Sequence, residues 1–253
     1  MLIEERRQHI LALIQKHGRV LVDELSDSLH LSKITIRKDL DYLESKELLL
    51  RTHGGALPTS ASALADPTLQ EKIGLHHDEK VRIGQAAAEM VAEGQCIVLD
   101  SGSTTLEIAR SLARFRRLTI ITNALNIASE MSSTSFEVIL LGGFLRPNSL
   151  SLVGPITEDQ LREFHADLLF LAVDGFDRQV GLTTPNVLES RVNRAMIRAA
   201  DKVIAVCDST KFKRRSHSLI ADISAVHHVI TDTGLPAEEA AAIRELGIGV
   251  TLV

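Results

Sequence analysis

The chain carries two kinds of hydrophobic pattern, one on each side of a short polar stretch. In the first 56 residues the apolar positions recur at helical spacing, as at Ile36, Leu40 and Leu43. After residue 80, short apolar runs alternate with longer amphipathic stretches, which is typical of strands that are each followed by a helix. We therefore predict a small, mainly helical unit followed by an α/β unit with a doubly wound, mainly parallel sheet.

The α/β part contains enough apolar runs for a large sheet. The runs that predict strands lie at 96–99, 118–122, 138–141, 168–173, 203–207, 226–231 and 249–253. The amphipathic stretches that predict helices lie at 81–91, 106–112, 156–164, 192–200 and 237–246.

The pattern of the first 56 residues predicts three helices and a hairpin. A tight turn at His30 and Leu31 joins the second helix to the third, and Ser32 is a good N-cap for the third. The outward face of that helix is rich in hydroxyl and basic side chains, which is the helix-turn-helix pattern of DNA-binding proteins. A β-prone run from Leu48 that ends in two glycines predicts a hairpin wing. The alternative is a plain three-helix bundle with a solvated, charged face.

Charge limits any nucleic-acid interaction to a local patch. The 253 residues have a formal net charge of −5, and residues 1–56 hold nine Lys/Arg against nine Asp/Glu. The positive charge of that part is concentrated at Lys33, Arg37, Lys38 and Arg51. No stretch is apolar enough to span a bilayer, and the N-terminus is not typical of a signal peptide. We expect a cytoplasmic protein with no membrane partner.

A small, polar stretch bounded by Pro58 and Pro67 separates the two patterns. Such a composition is typical of a flexible or extended connection. We predict a first domain at 1–56, a linker at 57–79 and a second domain at 80–253.

Polar residues and glycines follow almost every predicted strand of the second domain. After the first strand comes Asp100-Ser-Gly-Ser-Thr-Thr105, a turn into a helix whose free N–H groups and positive end suit a phosphate. The residues that follow the other strands are Asn123, Gly142, Gly143, Asp174, Gly175, Asp208, Lys211 and Asp232. In open α/β sheets ligands bind at the carboxyl ends of the strands, so we predict a binding site at this edge. Any one of these residues alone could equally serve a turn or a helix cap.

No cofactor motif accompanies this edge. The dinucleotide fingerprint GxGxxG and the phosphate loop GxxxxGK[ST] are both absent from the sequence. The ten histidines are scattered and have no partners at metal-ligand spacing. We therefore expect neither a cofactor nor a metal ion.

Two motifs make the prediction of a DNA-binding unit in residues 1–56 more specific. They are Leu-Ser-Lys-Ile-Thr-Ile-Arg-Lys-Asp-Leu at 31–40 and Arg-Thr-His-Gly-Gly-Ala at 51–56. Together they closely resemble the N-terminal domain of the DeoR family of bacterial transcription regulators. The resemblance implies a winged helix-turn-helix domain that binds double-stranded operator DNA.

The residues expected to contact DNA are Ser32, Lys33, Ile34, Thr35, Arg37, Lys38, Arg51 and His53. Most of these side chains suit phosphate contacts. Lys33 and Ile34 lie at positions that the family motif leaves variable. We therefore expect them to contact DNA bases and so to contribute to sequence recognition. Packing of Ile34 on the preceding helix is an equal alternative.

The second domain resembles the C-terminal sensor domain of the same family. Matching pieces include the 100–105 segment, Val173-Asp-Gly175, Gly181-Leu-Thr-Thr184 and Asp208-Ser-Thr-Lys-Phe212. The sequence of residues 184–196 most resembles that of members that control amino-sugar use. The resemblance implies a fold similar to that of ribose-5-phosphate isomerase and a phosphorylated sugar as effector. The implied effector-binding residues are Asp100, Ser101, Gly102, Ser103, Thr104, Thr105, Asn123, Gly142, Gly143, Asp174, Gly175, Glu189 and Lys211.

One departure from the isomerase bears on catalysis. The enzyme follows its Asp-Gly-x-Asp segment with a lysine in a glycine-rich loop, whereas Asp174-Gly-Phe-Asp177 continues Arg-Gln-Val-Gly-Leu with no lysine. Isomerisation needs a positioned base and an electrophile. We therefore predict a regulator and not an enzyme: a repressor of a carbohydrate-utilisation operon, active as a homo-oligomer (dimer or tetramer). The alternatives are a sugar-phosphate isomerase with an appended DNA-binding domain and a DNA-binding oligomer with a vestigial sensor.

Overall fold

The chain divides into two units, residues 1–65 and 66–253, in a computed structural model. The structure describes residues 3–17, 20–46, 48–52, 54–58 and 66–253. The predicted linker at 57–79 is too long, because residues 66–79 belong to the second unit. The polar composition there hid a capping box, in which the side chains of Thr68 and Glu71 bond each other's backbone N–H and start a helix.

The first unit contains the three predicted helices and the hairpin. Its elements are α1 (Ile3–His17), β1 (Val20–Leu21), α2 (Val22–Leu29), α3 (Lys33–Ser45), β2 (Leu49–Thr52) and β3 (Gly55–Pro58). The turn after α2 places His30 in the left-handed region at φ 52°. The two-residue strand β1, which is too short to leave a pattern in the sequence, pairs with β3 and extends the hairpin to three strands.

The core of the first unit joins α1, α2 and α3 to the hairpin through Ile10, Leu25, Ile36 and Leu49, all buried. A buried carboxylate adds a second connection. Asp39 on α3 is 2% exposed and accepts hydrogen bonds from Arg6 Nε at 2.6 Å and Arg7 Nε at 3.1 Å. The charge within the Arg-Lys-Asp motif therefore fixes α3 against α1, and its basic neighbours stay on the outside.

The second unit is built on one large parallel sheet, as predicted. Its sheet strands are β4 (Cys96–Leu99), β5 (Thr119–Thr122), β6 (Glu137–Leu140), β9 (Ala166–Ala172), β12 (Ala200–Val206), β14 (His228–Thr231) and β15 (Gly249–Leu252). They lie in the order β15-β14-β12-β9-β4-β5-β6, and every neighbouring pair is parallel. The helices are α4 (Leu69–Gly74), α5 (His77–Glu89), α6 (Ser103–Ser111), α7 (Leu125–Met131), α8 (Pro155–Leu161), α9 (Val187–Arg198) and α10 (Ala237–Glu245).

Both faces of this sheet are covered. Val98 packs into one hydrophobic cluster, whereas its neighbours Ile97 and Leu99 pack into the cluster on the opposite face. Alternate side chains of a strand point to opposite faces, so a strand buried on both reads as a continuous apolar run. This is why the sheet strands could be predicted. Within the described residues, no helix is long and apolar enough to cross a membrane.

The structure adds two small antiparallel sheets that the sequence pattern missed. One contains β10 (Gly175–Asp177), β11 (Gly181–Thr184) and β13 (Ser218–Ala221), and the other pairs β7 (Phe144–Arg146) with β8 (Ser151–Val153). Each of these strands has only three or four residues, too few to show an alternation. Both sheets extend from the carboxyl ends of the large sheet, next to the predicted binding edge.

Candidate functional site

The order in which the chain adds strands to the large sheet reverses between the neighbouring strands β4 and β9. From β4 the chain proceeds through α6 to β5 and β6 on one side, and β9 lies on the other side of β4. Such a switch point opens a crevice at the carboxyl ends of the two strands, where open α/β sheets bind ligands. The segment 100–105, here called the hydroxyl loop, follows β4 at this crevice, and Asp174 follows β9.

Asp100 fixes the hydroxyl loop against β9. Its carboxylate accepts hydrogen bonds from the backbone N–H of Ser101 at 2.7 Å and of Ala172 at 3.2 Å. Burial raises the pKa of Asp100 to about 8, and the nearby Glu189 charge acts in the same direction. Asp100 is therefore a mostly protonated, buried group near neutral pH, and its bonds within the protein position the loop.

The first turn of α6 presents unused donors. The first N–H groups of a helix have no intrahelical acceptor, and those of Ser103, Thr104 and Thr105 are not bonded elsewhere among the described residues. Nor does any described group bond the hydroxyls of Ser101, Ser103 or Thr104, whereas Thr105 Oγ1 bonds the carbonyl of Gly102 at 3.1 Å. The helix dipole adds positive potential at this end. The loop can therefore bind an anion without breaking an existing hydrogen bond.

Gly102 lets the loop lie close to the neighbouring strand. A Cβ atom at this position would lie 3.0 Å from Cβ of Ala172 and 3.3 Å from Oγ1 of Thr105. A side chain at this position would therefore require Ala172 or Thr105 to shift by a few tenths of an ångström. The glycine thus favours the close approach of the loop to β9.

A cluster of lysines and carboxylates lies beside the loop, at the ends of β9 and β12. Lys72 Nζ on α4 lies 2.9 Å from Asp174 Oδ1, and Lys211 Nζ lies 3.9 Å from the same oxygen. Burial works to raise the pKa of Asp174, but the two ammonium groups outweigh it and hold that pKa below its usual value. At Asp208, burial is likewise outweighed, chiefly by Lys211, and the pKa is lowered. Both carboxylates are therefore charged at neutral pH.

Lys80 of α5 is a further, buried member of this cluster. It is 4% exposed, and its Nζ donates to the backbone carbonyls of Lys72 and Leu75, each at 2.5 Å. Burial lowers the pKa of Lys80 to about 8, against the opposing effect of Asp208. The sequence analysis missed Lys72 and Lys80. A signal for Lys80 was present, because it falls on the same helical stripe as Ile83 and Ala87.

Glu189 lies in the first turn of α9 and is held from three sides. Its carboxylate accepts from Arg146 Nη1 at 2.8 Å, from Thr184 Oγ1 at 3.3 Å and from Ser151 Oγ at 3.4 Å. Arg146 also forms an ion pair with Asp66. Arg146 is a further residue that the sequence analysis missed, and no local motif marks it.

Asn123 leaves one buried acceptor open. Its Nδ2 donates to the carbonyl of Leu152 at 3.0 Å, but its Oδ1 is buried and has no hydrogen-bond partner among the described residues. Buried polar atoms are normally paired. An unpaired acceptor next to the strand ends is what a site for a ligand hydroxyl requires.

The predicted glycines after β6 and β9 have structural contacts. The N–H of Gly142 bonds Gln160 Oε1 at 2.7 Å, and its carbonyl accepts from Thr157 Oγ1 at 2.7 Å. A Cβ at Gly143 would lie 2.2 Å from Thr157 Oγ1, and one at Gly175 would lie 2.4 Å from Thr183 Oγ1. The N–H and the carbonyl of Gly142 are thus both bonded to side chains of α8.

In the first unit, α3 exposes a basic and hydroxyl-rich face. Ser32 caps the helix by accepting from the N–H of Thr35 at 3.1 Å, and its hydroxyl lies 2.9 Å from that of Thr35. Ile34 is 65% exposed, so it does not pack on the preceding helix. Arg37 and Lys38 are exposed, and no ion pair neutralises them among the described residues.

Two basic residues of this region already have partners. Lys33 Nζ lies 2.9 Å from Asp23 Oδ1, both side chains being exposed. Arg51 bonds Asp41 Oδ1 at 3.0 Å and the carbonyl of Gly55 at 3.0 Å, which holds the wing to α3. An Arg51 contact to phosphate would have to share or replace these bonds. His53, also predicted to contact DNA, lies outside the described residues.

Comparison with known protein families covers both units. Residues 6–61 match the DeoR-like helix-turn-helix domain, and residues 75–233 match the DeoR C terminal sensor domain. The chain belongs to the DeoR family. Its two units are therefore the DNA-binding and sensor units of a transcriptional regulator.

Relatives match this DeoR-family chain over nearly its whole length. A putative aga operon transcriptional repressor of Escherichia coli O157:H7 is 37% identical over 98% of this chain and 93% of its own length. The HTH-type transcriptional regulator GlpR of Haloferax volcanii is 38% identical over 99% and 98%. Ribose 5-phosphate isomerase A of Methanocaldococcus jannaschii is a solved structure with a TM-score of 0.41, at 15% identity over 55% of each chain. Both sequence relatives are named as transcriptional regulators, the class of protein predicted for this chain.

Proposed function

We propose that this DeoR-family regulator represses a carbohydrate-utilisation operon and that a phosphorylated sugar, bound at the β4–β9 crevice, controls its affinity for the operator. The observation that carries the proposal is the hydroxyl loop, where unused N–H groups and hydroxyls surround the start of α6. Lys211 and Lys72 supply positive charge beside it. Charged hydrogen bonds of this kind are the strong contacts that a phosphate makes.

The sugar part would use the other groups at this edge. Asn123 Oδ1 is a buried acceptor without a partner among the described residues, so it would accept from a sugar hydroxyl. Glu189 and Asp174 would offer further acceptors once their present cations rearrange. The name of one relative supports the biological role, since it is called a putative aga operon transcriptional repressor.

DNA would be bound by α3 and the wing. Ser32, Thr35, Arg37 and Lys38 would contact phosphates, and Ile34 with Lys33 would face base edges in the major groove. Helix-turn-helix proteins read paired half-sites as symmetric dimers, so we propose a homo-oligomer, dimer or tetramer, acting on chromosomal DNA in the cytoplasm.

A thermal-shift panel tests the sensor assignment. The wild-type chain would be heated with ribose 5-phosphate, glucosamine 6-phosphate, galactosamine 6-phosphate, fructose 1-phosphate and glycerol 3-phosphate. A true effector at one hundred times its Kd stabilises the folded chain by about 2.7 kcal/mol. Ser103→Asp places a negative charge on the first turn of α6 and should abolish the shift.

Ser133→Asp, which adds the same charge at an exposed position, is the matched control and should keep the shift. If no sugar phosphate stabilises the wild-type chain, or if Ser103→Asp responds like Ser133→Asp, the proposed site is wrong.

A further inference from the structure

The segment that opens the second unit, residues 66–75, is held to that unit by polar tethers. We call it the entry segment. Lys72 Nζ bonds Asp174 Oδ1 at 2.9 Å, and Asp66 forms an ion pair with Arg146. Lys80 Nζ bonds the carbonyls of Lys72 and Leu75 at the end of α4. The entry segment is also the part of this unit that follows the helix-turn-helix unit in sequence.

Two of these tethers end at the candidate site. Asp174 follows β9 at the crevice, and Arg146 bridges from Asp66 to Glu189, whose Oε1 it bonds at 2.8 Å. The third tether is different, because Lys80 belongs to α5 and bonds backbone carbonyls. The end of α4 is therefore fixed to α5, while Lys72 directly, and Asp66 through Arg146, are attached to groups predicted to bind the effector.

Charge at Asp174 favours an additional anion. The cations whose charges act on this carboxylate are Lys72, Lys211 and Arg214. Three cations therefore act on this one carboxylate. A phosphate brings a charge of about −1.5 to −2 at neutral pH, and these cations would attract it to the Asp174 side of the crevice.

We propose that the entry segment forms one wall of the effector pocket, and that Lys72 leaves the Asp174 carboxylate to bind the anionic group of the effector. The inference rests on the function proposed above. It adds that Lys72 is the residue through which ligand binding changes the entry segment. To leave Asp174 for another anion, the ammonium group of Lys72 must move, either by a change of its side-chain conformation or together with its backbone. Binding therefore changes how residues 66–75 are held, next in sequence to the DNA-binding unit.

The first arm of the test needs no ligand. Hydrogen exchange of peptides covering 66–75 would be compared in the full-length wild type, Lys72→Met and Lys202→Met. Lys202 is an exposed lysine on β12 and is the matched control. Loss of the Lys72–Asp174 pair should accelerate exchange in 66–75 about fivefold, and Lys202→Met should match the wild type. Unchanged exchange in Lys72→Met would show that the tether does not hold the segment, and would overturn the inference.

The second arm adds ribose 5-phosphate, glucosamine 6-phosphate and inorganic phosphate as probes. A sugar phosphate that binds the wild type should alter exchange in 66–75, and its Kd should rise about tenfold in Lys72→Met but not in Lys202→Met. Lys72→Arg, which keeps the charge, should recover part of the affinity. If the probe binds Lys72→Met as tightly as the wild type and leaves 66–75 unchanged, this inference fails while the proposed function stands. If no probe binds the wild type, both fail.

Discussion

At the scale of single residues, the site is built on ionisable groups taken out of water. Asp100, Lys80 and Asp208 are each 5% exposed or less. Burial disfavours the charged form of any such group, and the partners decide the outcome. Asp208 has Lys211 and stays charged, whereas Asp100 has no cation among the causes that shift it and its pKa rises to about 8. The strand ends at the candidate site therefore hold a neutral acid, Asp100, and a charged cluster.

A pH dependence of stability follows for Asp100. Its pKa is raised from 3.8 to about 8 in the folded chain. Between these values the unfolded chain has released the proton and the folded chain retains it, so raising the pH favours unfolding. The contribution should lower the free energy of unfolding by up to about 1.4 kcal/mol per pH unit from pH 4 to 8, and stay constant above.

Urea denaturation of the full chain at pH 5, 6, 7 and 8 measures this slope. Asp100→Asn should flatten it, and Asp222→Asn, at an exposed position, should not. Equal slopes in the wild type and Asp100→Asn would show that Asp100 titrates as an ordinary carboxylate.

Local sequence predicted only those site residues that follow a strand. The hydroxyl loop and Asp174 could be placed because each comes directly after an apolar run. Lys72 and Arg146 reach the same place from α4 and β7, 102 and 43 residues away from their partners Asp174 and Glu189. Contacts between residues so far apart in sequence depend on tertiary packing, and the local pattern of hydrophobic and polar residues does not reveal them.

At the scale of elements, close approach of backbone segments shapes the surroundings of the site. Gly143 has φ 149°, and a Cβ there would lie 2.2 Å from Thr157 Oγ1 and 2.8 Å from the carbonyl of Val153. The turn into β7 is therefore fitted against α8. The strands of the large sheet were predictable because both faces of that sheet are covered and its strands lie in apolar runs, whereas β7, β8 and β10 were not because three residues form no pattern.

Gly143→Ala should destabilise the chain by about 2 kcal/mol, because the added methyl group overlaps both α8 and β8. Gly74→Ala is the control, since nothing lies within 4 Å of a Cβ at Gly74. It should change stability by less than about 0.5 kcal/mol. Chemical denaturation of the two variants side by side decides the matter, and equal midpoints would refute the tight fit of this turn.

Helix α3 presents two kinds of exposed side chain that should act differently on DNA. Lys38→Ala removes a phosphate contact, so it should weaken binding to operator and random duplexes alike and reduce the salt slope by about 1. Ile34→Ala should weaken operator binding alone, by about 1 to 3 kcal/mol. Fluorescence anisotropy at several salt concentrations measures both. Equal losses on operator and random DNA for Ile34→Ala would remove Ile34 from base reading.

At the scale of the whole molecule, a sensor unit and a DNA-binding unit share one chain, and the sensor must change the affinity of the other unit for DNA. A ligand does so only if it binds two conformations of the protein unequally. The coupling energy of such systems is about 1 to 3 kcal/mol. The entry segment, held at Asp174 and Arg146, is where we expect the conformations to differ.

The most direct test is the operator affinity of the full chain with and without effector. A duplex selected by the wild-type protein from a random pool would be titrated in the presence of the sugar phosphate that gives the largest thermal shift. The account predicts that this effector changes the Kd for the duplex about tenfold or more in the wild type and in Ser133→Asp, and not in Ser103→Asp. An unchanged Kd in the wild type, or an equal change in Ser103→Asp, would contradict it.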